Sequence, residues 1–125
     1  MEEVIIKDSK IHGRGIFANK DFKKGEIVVR HKLKELSSEE YNKLPLKEKR
    51  FVGIDGKKYL FFLSPARYVN HSCNPNTKVK GKTDVAIRDI RKGEEITNYY
   101  KDDDVTFKMV CNCGSKSCRG IIKNL

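Results

Sequence analysis

The sequence has no uninterrupted apolar run near the ~18 residues that a membrane-crossing helix needs, so it offers no membrane span. The first residues, Met1-Glu2-Glu3-Val4, are acidic where a signal peptide carries basic residues. Together these point to a soluble, intracellular protein of the cytoplasm or the nucleoid or nucleus. Length is limited too: 125 residues allow one domain with one modest core and exclude a large second domain. Acidic charge is in deficit, with 17 Asp+Glu against 27 Lys+Arg and a net charge of +10. Such a surface favours acidic partners such as nucleic acid or anionic lipid. The cations are scattered along the chain, which weakens a dedicated DNA-binding reading. Gly13-Arg14-Gly15 has no third glycine and no helix signal after it, which excludes a dinucleotide fingerprint. No repeating βαβ unit is present.

What is there centres on Ala66-Arg67-Tyr68-Val69-Asn70-His71-Ser72-Cys73-Asn74-Pro75-Asn76. An apolar run, Tyr59 to Leu63, precedes it and reads as a buried element. The character changes at Asn70, where an imidazole, a thiol, amides and a proline crowd together. Pro75 removes a backbone donor and Asn favours turns, so the buried element delivers its end into a polar loop, where sites are often built.

Along the chain, Val4-Ile5-Ile6 reads as a strand, and the Gly13 and Gly15 pair as a tight turn or a close backbone approach to a ligand. A strand is expected over Glu26 to Leu33. Ser37 and Glu40 form a capping box for a helix that Pro45 ends, with a second short turn to Arg50. Asp55-Gly56 between apolar runs predicts a hairpin. Asp84 to Ile90 alternates Val85 and Ile87 with Ala86 and Arg88 and reads as a half-buried strand. Glu95 to Tyr100 reads as another. Asp21 to Ile27 is echoed by Asp89 to Ile96, two segments sharing a cationic pair, Gly and Glu. Shared turn chemistry explains the echo better than a repeat architecture, given two copies 68 residues apart. Many short strands, glycine turns and little helix predict a mainly β fold of several small sheets.

Cysteine is used four times. Cys111, Cys113 and Cys118 place three thiols within eight residues, and the fourth is Cys73 in the central loop. In a reducing compartment such a cluster points to metal before disulfides. Structural zinc takes four ligands, so the count proposes one zinc site joining the loop to the tail.

The segments His12-Gly13-Arg14-Gly15-Ile16-Phe17-Ala18, Ala66 to Asn76 and Gly93-Glu94-Glu95-Ile96-Thr97-Asn98-Tyr99-Tyr100 resemble, in order, the motifs of SET-domain protein-lysine methyltransferases. Cys111-Asn112-Cys113-Gly114-Ser115-Lys116-Ser117-Cys118-Arg119-Gly120 is similar to the post-SET zinc segment. No pre-SET cysteine cluster is present. The resemblance implies a SET domain over 1–104, with a variable insert at about 33–63, and a post-SET tail over 105–125. It implies small sheets around a pseudoknot formed by the Asn-His-Ser-Cys and Glu-Glu-Ile stretches. It also implies methyl transfer from S-adenosylmethionine to a lysine ε-amine of a protein or peptide, with a chromatin protein as the family-based substrate. A monomer is expected.

By position, Gly13, Arg14, Gly15, Asn70, His71 and Ile121 are implied to hold the cofactor, with Ile122 beside Ile121. Tyr100 is implied to be catalytic, and Cys73, Cys111, Cys113 and Cys118 to bind zinc. Asn98 stands where Phe or Tyr is frequent and Tyr99 where Asp is usual, which leaves the number of methyls added open. His12 and His31 are expected to be solvated or capping, and Tyr68 and Tyr99 to be packing aromatics. The rival is a non-catalytic zinc module binding nucleic acid through its basic surface; it accounts for the charge and the cysteines but not for Asn70, His71 and Tyr100.

Overall fold

The computed structural model describes residues 3–100, 109–111, 113–116, 118 and 120–122. The described residues form four small sheets. The largest contains β1 (Val4–Asp8), β2 (Arg14–Ala18), β10 (Glu95–Asn98) and β7 (Asn70–His71), in the order β1-β2-β10-β7. A second has the order β3-β9-β8, from Ile27–Arg30, Thr83–Ala86 and Thr77–Lys80. The third, β4-β6-β5, is built from Leu33–Leu36, Lys58–Phe62 and Val52–Asp55. In the fourth, β11 (Met109–Val110) pairs with β12 (Ile121–Ile122). Among the described residues no helix is long and apolar enough to cross a membrane.

The core joins the first two sheets through Ile16, Ala18, Phe22, Val28, Val29, Ala66, Val69, Ala86, Ile90 and Ile96, with Phe62 of the third packed against it. Burying such side chains contributes about 1.5–3 kcal/mol for each large one. The two motif stretches expected to meet do so: β7 and β10 pair in parallel, Asn70 with Thr97 and His71 with Asn98. The following loop folds over β10. There Asn76 donates to the Glu95 carbonyl at 2.8 Å and accepts from the Thr97 amide at 2.9 Å, while Thr77 Oγ1 donates to the Thr97 carbonyl at 2.7 Å. Irregular backbone can be buried here because polar side chains replace the missing ladder.

The sequence echo has a structural meaning beyond turn chemistry. Phe22 and Ile90 exchange both backbone hydrogen bonds, at 2.7 and 2.8 Å. The Lys24 amide donates to Asp89 and the Lys92 amide to Asp21, at 2.9 and 2.8 Å. Glu26 accepts from the Lys23 amide, and Glu94 from the Arg91 amide, each at 2.9 Å. Gly25 and Gly93 both take positive φ, 93° and 95°. The two copies therefore face one another across a local two-fold axis, each aspartate capping the other's turn.

Several expectations are corrected. Glu26 to Leu33 is not one strand: the chain breaks at His31-Lys32, and β3 and β4 enter different sheets. The Gly13-Arg14-Gly15 stretch is only partly a turn, because Gly15 lies inside β2. The strand expected over Asp84 to Ile90 ends at Ala86, and its buried face is the opposite one: Asp84 and Ala86 are buried while Ile87 is exposed. Periodicity placed the apolar side chains inward, but Asp84 finds partners inside that outweigh them. The run Tyr59 to Leu63 is half-buried in β6 rather than buried, and Leu63 is exposed.

The insert follows local rules. Ser37 and Glu40 form the capping box of α1 (Ser38–Lys43), whose hydrogen bonds hold the Glu40 carboxyl below its usual range. Pro45 opens α2 (Leu46–Lys49), and Gly56, φ 61°, turns β5 into β6. Neither helix contributes a buried residue. Tyr41 stacks on Tyr59 at 4.4 Å, fixing α1 to its sheet.

Candidate active site

The site grows from the end of β7. Asn70 is buried, and its Nδ2 donates toward the carbonyls of His12 and Arg14, both at 3.1 Å, and Glu95 Oε2 at 3.0 Å. One amide group thus gathers the β1–β2 connection, β7 and β10. Gly13 lies between the two carbonyls with φ +46° and open space where a Cβ would stand. Gly15 is needed for a different reason: a Cβ there would collide with the Glu95 carboxylate and Ser9. Ser9 Oγ donates to that same carboxylate at 2.8 Å.

His71 is 2% exposed and couples two sites. Its Nδ1 accepts the Tyr100 backbone N–H at 2.8 Å, and its Nε2 lies 3.2 Å from Cys73 Sγ. Because Nδ1 accepts, a neutral ring carries its hydrogen on Nε2, aimed at the sulfur. The Tyr100 hydroxyl donates to the Val69 carbonyl. Burial pushes the phenol well above its usual range, and the nearby Asp84 charge adds to that. Tyr100 therefore stays protonated, and its oxygen keeps lone pairs that can accept.

Cys73, Cys111, Cys113 and Cys118 bring their sulfurs within 4.8 Å of one another, with Cys73 and Cys111 at 3.9 Å. A tetrahedral ion about 2.3 Å from each sulfur would set sulfurs about 3.8 Å apart, so the cluster could hold one metal ion. Burial pushes the Cys111 thiol up. At Cys113 burial acts in the same direction but is outweighed by backbone hydrogen bonds from Cys73 and Ser115, which pull that thiol down. A low-pKa thiolate among four sulfurs is the donor set a soft or borderline cation requires.

Gly13, Arg14, Gly15, Asn70, His71 and Tyr100 are thus brought together, and the four cysteines form a neighbouring cluster. Ile121 lies on β12, but its side chain and that of Ile122 are outside the described residues. Tyr99 is exposed at 44% and meets the His71 ring edge-on at 4.9 Å. Tyr68 packs against the core as a half-buried aromatic.

Some participants are absent from the sequence reading. Glu95 ties Ser9 and Asn70 together; its signal was the second Glu of Gly93-Glu94-Glu95-Ile96, absent from the earlier copy Gly25-Glu26-Ile27. His31 is not solvated: its side chain is 4% exposed and Nε2 meets fully buried Asp84 at 2.9 Å. Asp84 in turn accepts from Asn98 Nδ2 at 2.9 Å. Nothing local in the sequence marks these as partners. His12 is at the surface, as expected, with Arg50 Nη1 at 2.9 Å from its Nε2. Arg67 pairs with Glu48 at 2.8 Å and stacks on Phe51, its guanidinium 3.9 Å from the ring centroid, joining the insert to the loop before β7.

The chain is 34% identical to human histone-lysine N-methyltransferase 2B over 94% of its own length and 5% of that protein. It is also 34% identical to the H3 lysine-4 specific histone-lysine N-methyltransferase of Schizosaccharomyces pombe, over 91% of this chain and 14% of that one. The chain therefore spans a small part of these relatives. A solved Plasmodium falciparum protein, described as a candidate histone methyltransferase, shares the fold with a TM-score of 0.65 and 23% identity, covering 80% of this chain and 94% of that one. The SET domain model matches residues 13–101, and with that match over most of its length the chain belongs to the SET-domain family.

Proposed function

We propose that this chain transfers a methyl group from S-adenosylmethionine to the ε-amine of a lysine in a protein. The observation that carries the reading is the junction at β7 and β10. There a tyrosine held protonated at neutral pH and oriented by the Val69 carbonyl, Tyr100, lies near a backbone cradle built from Gly13, Arg14 and Asn70. The open space at Gly13 and the fixed carbonyls on either side of it fit a ligand that approaches backbone. When bound, the cofactor supplies an electrophilic methyl on a cationic sulfonium.

The chain's own residues do the rest. Lysine attacks only as the neutral amine, and its ordinary pKa is about 10.4. An enclosed site favours the neutral form by desolvation. The Tyr100 oxygen accepts an amine N–H and so aims the nitrogen lone pair; with its phenol held protonated it is an orienting group, not a base. His71 positions Tyr100 through the backbone amide. Asn70 and Glu95 hold the cradle, and Gly13, Arg14, Gly15, His71 and Ile121 would contact the cofactor. Zinc is the metal that suits four thiolates in a structural role, and it would fix the tail over 105–125 to the body over 1–104 through Cys73.

The names of the relatives suggest a histone or another chromatin protein as the substrate. The test is incubation of the protein with labelled S-adenosylmethionine and a lysine-rich protein pool. Label on lysine, lost in Tyr100→Phe with cofactor affinity retained, is expected. Cofactor binding without transfer to any protein would overturn the reading.

A further inference from the structure

The sheet β3-β9-β8 carries a face that methyl transfer does not use. Direct cross-strand pairing places Arg30, Thr83 and Lys80 in one row and Ile27, Val85 and Lys78 in the next. These rows lie on the outer side: Arg30, Lys78 and Lys80 are exposed, whereas Val28, Val29, Asp84 and Ala86 turn to the interior. Exposed Lys82 stands in the turn between β8 and β9.

Among the described residues the face holds no acidic side chain. Asp84 belongs to the inner side, paired with His31 and Asn98. Glu26, next to β3, is held by Lys20 and the Lys23 amide, and Asp89 by the Lys24 amide. Lys20, Lys43, Lys58 and Arg67 each have a carboxylate partner. Among the described residues, Arg30, Lys78, Lys80 and Lys82 have none. Like charges left unneutralised on a flat sheet repel one another, and a polyanion relieves that repulsion.

We propose that this outer face of β3-β9-β8 is a docking surface for the phosphate backbone of duplex DNA. Lys78 and Lys80, two residues apart on one strand, are about 7 Å apart, and Arg30 lies two strands from Lys80, about 10 Å away. That is a two-dimensional array of cations rather than a point site. Among the described residues the face has no aromatic ring on which single-stranded bases could stack, which favours a duplex over single strands. Its apolar side chains, Ile27 and Val85, sit within the strands and project no anchoring helix, which disfavours a membrane surface. The docking is independent of the methyl-transfer reading, because it is measured without cofactor. It also answers an electrostatic problem: a chain of net charge +10 repels a free basic tail, but not one already bound to DNA.

The test is fluorescence anisotropy of a mixed-sequence 20-base-pair duplex with the full chain, between 50 and 200 mM salt. Four phosphate contacts predict a slope of log K on log salt near −3.6, roughly a 100-fold loss of affinity over that range. The variant Arg30→Gln/Lys78→Gln/Lys80→Gln should bind at least about ten-fold more weakly, with a slope near −1. The control Lys34→Gln/Lys47→Gln/Lys57→Gln, of equal charge on the insert, should bind as the parent does. Melting temperatures of both variants check that the fold persists. Equal losses in the two variants, tighter binding to single strands than to duplex, or binding to phosphatidylserine vesicles with none to duplex would each overturn the assignment.

Discussion

The junction at β7 and β10 and the insert sheet β4-β6-β5 are built on opposite principles. The insert runs on local chemistry: a capping box at Ser37, a proline at the head of α2, an Asp-Gly turn, and helices that bury nothing. The junction is made of buried polar groups, Asn70, His71, Asn76, Thr77, Asp84 and Asn98, partnered by residues far away in sequence, with Asn98 Oδ1 alone among their side-chain atoms left buried without a partner among the described residues. Each such group costs free energy unless partnered, so the junction persists only as a whole. A region of that kind holds its side chains at fixed positions, whereas the helices of the insert are set by local chemistry.

Substitutions should separate the two regions by the size and kind of their effects. The largest is Tyr100→Phe: methyl transfer should fall by about 10²-fold or more, as when the attacking nitrogen is no longer aimed. Cofactor affinity, measured by calorimetry, should be unchanged. Next comes the metal. Cys73→Ser should lower zinc content from one equivalent per chain, measured by atomic absorption. It should also weaken cofactor binding, because Cys73 shares its loop with His71 and Asn70. Retention of full zinc would break the four-cysteine assignment.

Asn70→Ala removes the donor to His12, Arg14 and Glu95. A cost of about 1–3 kcal/mol in denaturant unfolding is expected, from acceptors left unsatisfied, together with weaker cofactor binding. The Tyr100 pKa also predicts a pH dependence. Its folded value lies above the unfolded value of about 10, so the folded state binds more protons between the two. Its contribution is then full below pH ~10 and declines as pH rises through the folded value. Thermal melts from pH 9 upward should show this decline, and Tyr100→Phe should flatten it. The smallest effect is Ser37→Ala, which should cost about 1 kcal/mol and leave methyl transfer intact. A loss of transfer there would show that the insert is not independent of the junction.

The division also sorts what could be read in advance. The mainly β architecture, the Ser37 cap, the Asp55-Gly56 hairpin and the cysteine count rest on short-range rules and emerge as expected. The strand over Asp84 to Ile90 does not, because its buried face is chosen by His31 and Asn98 and not by its own periodicity. The break at His31-Lys32 escapes a propensity reading for the same reason, since His31 is drawn inward by Asp84.

Sequence by itself determined which residue types the site would have, because amides, an imidazole, a tyrosine and four thiols are chemical facts of the chain. The order of the motifs also determined the family. Only the tertiary structure decided how they connect. It showed that Asn70 spends its amide on the cradle, that His71 links Tyr100 to Cys73, and that the two echoed turns face one another. The physical reason is range. Turn and cap energies act within a few residues, whereas a buried polar group is satisfied by whichever distant partner the packed chain delivers.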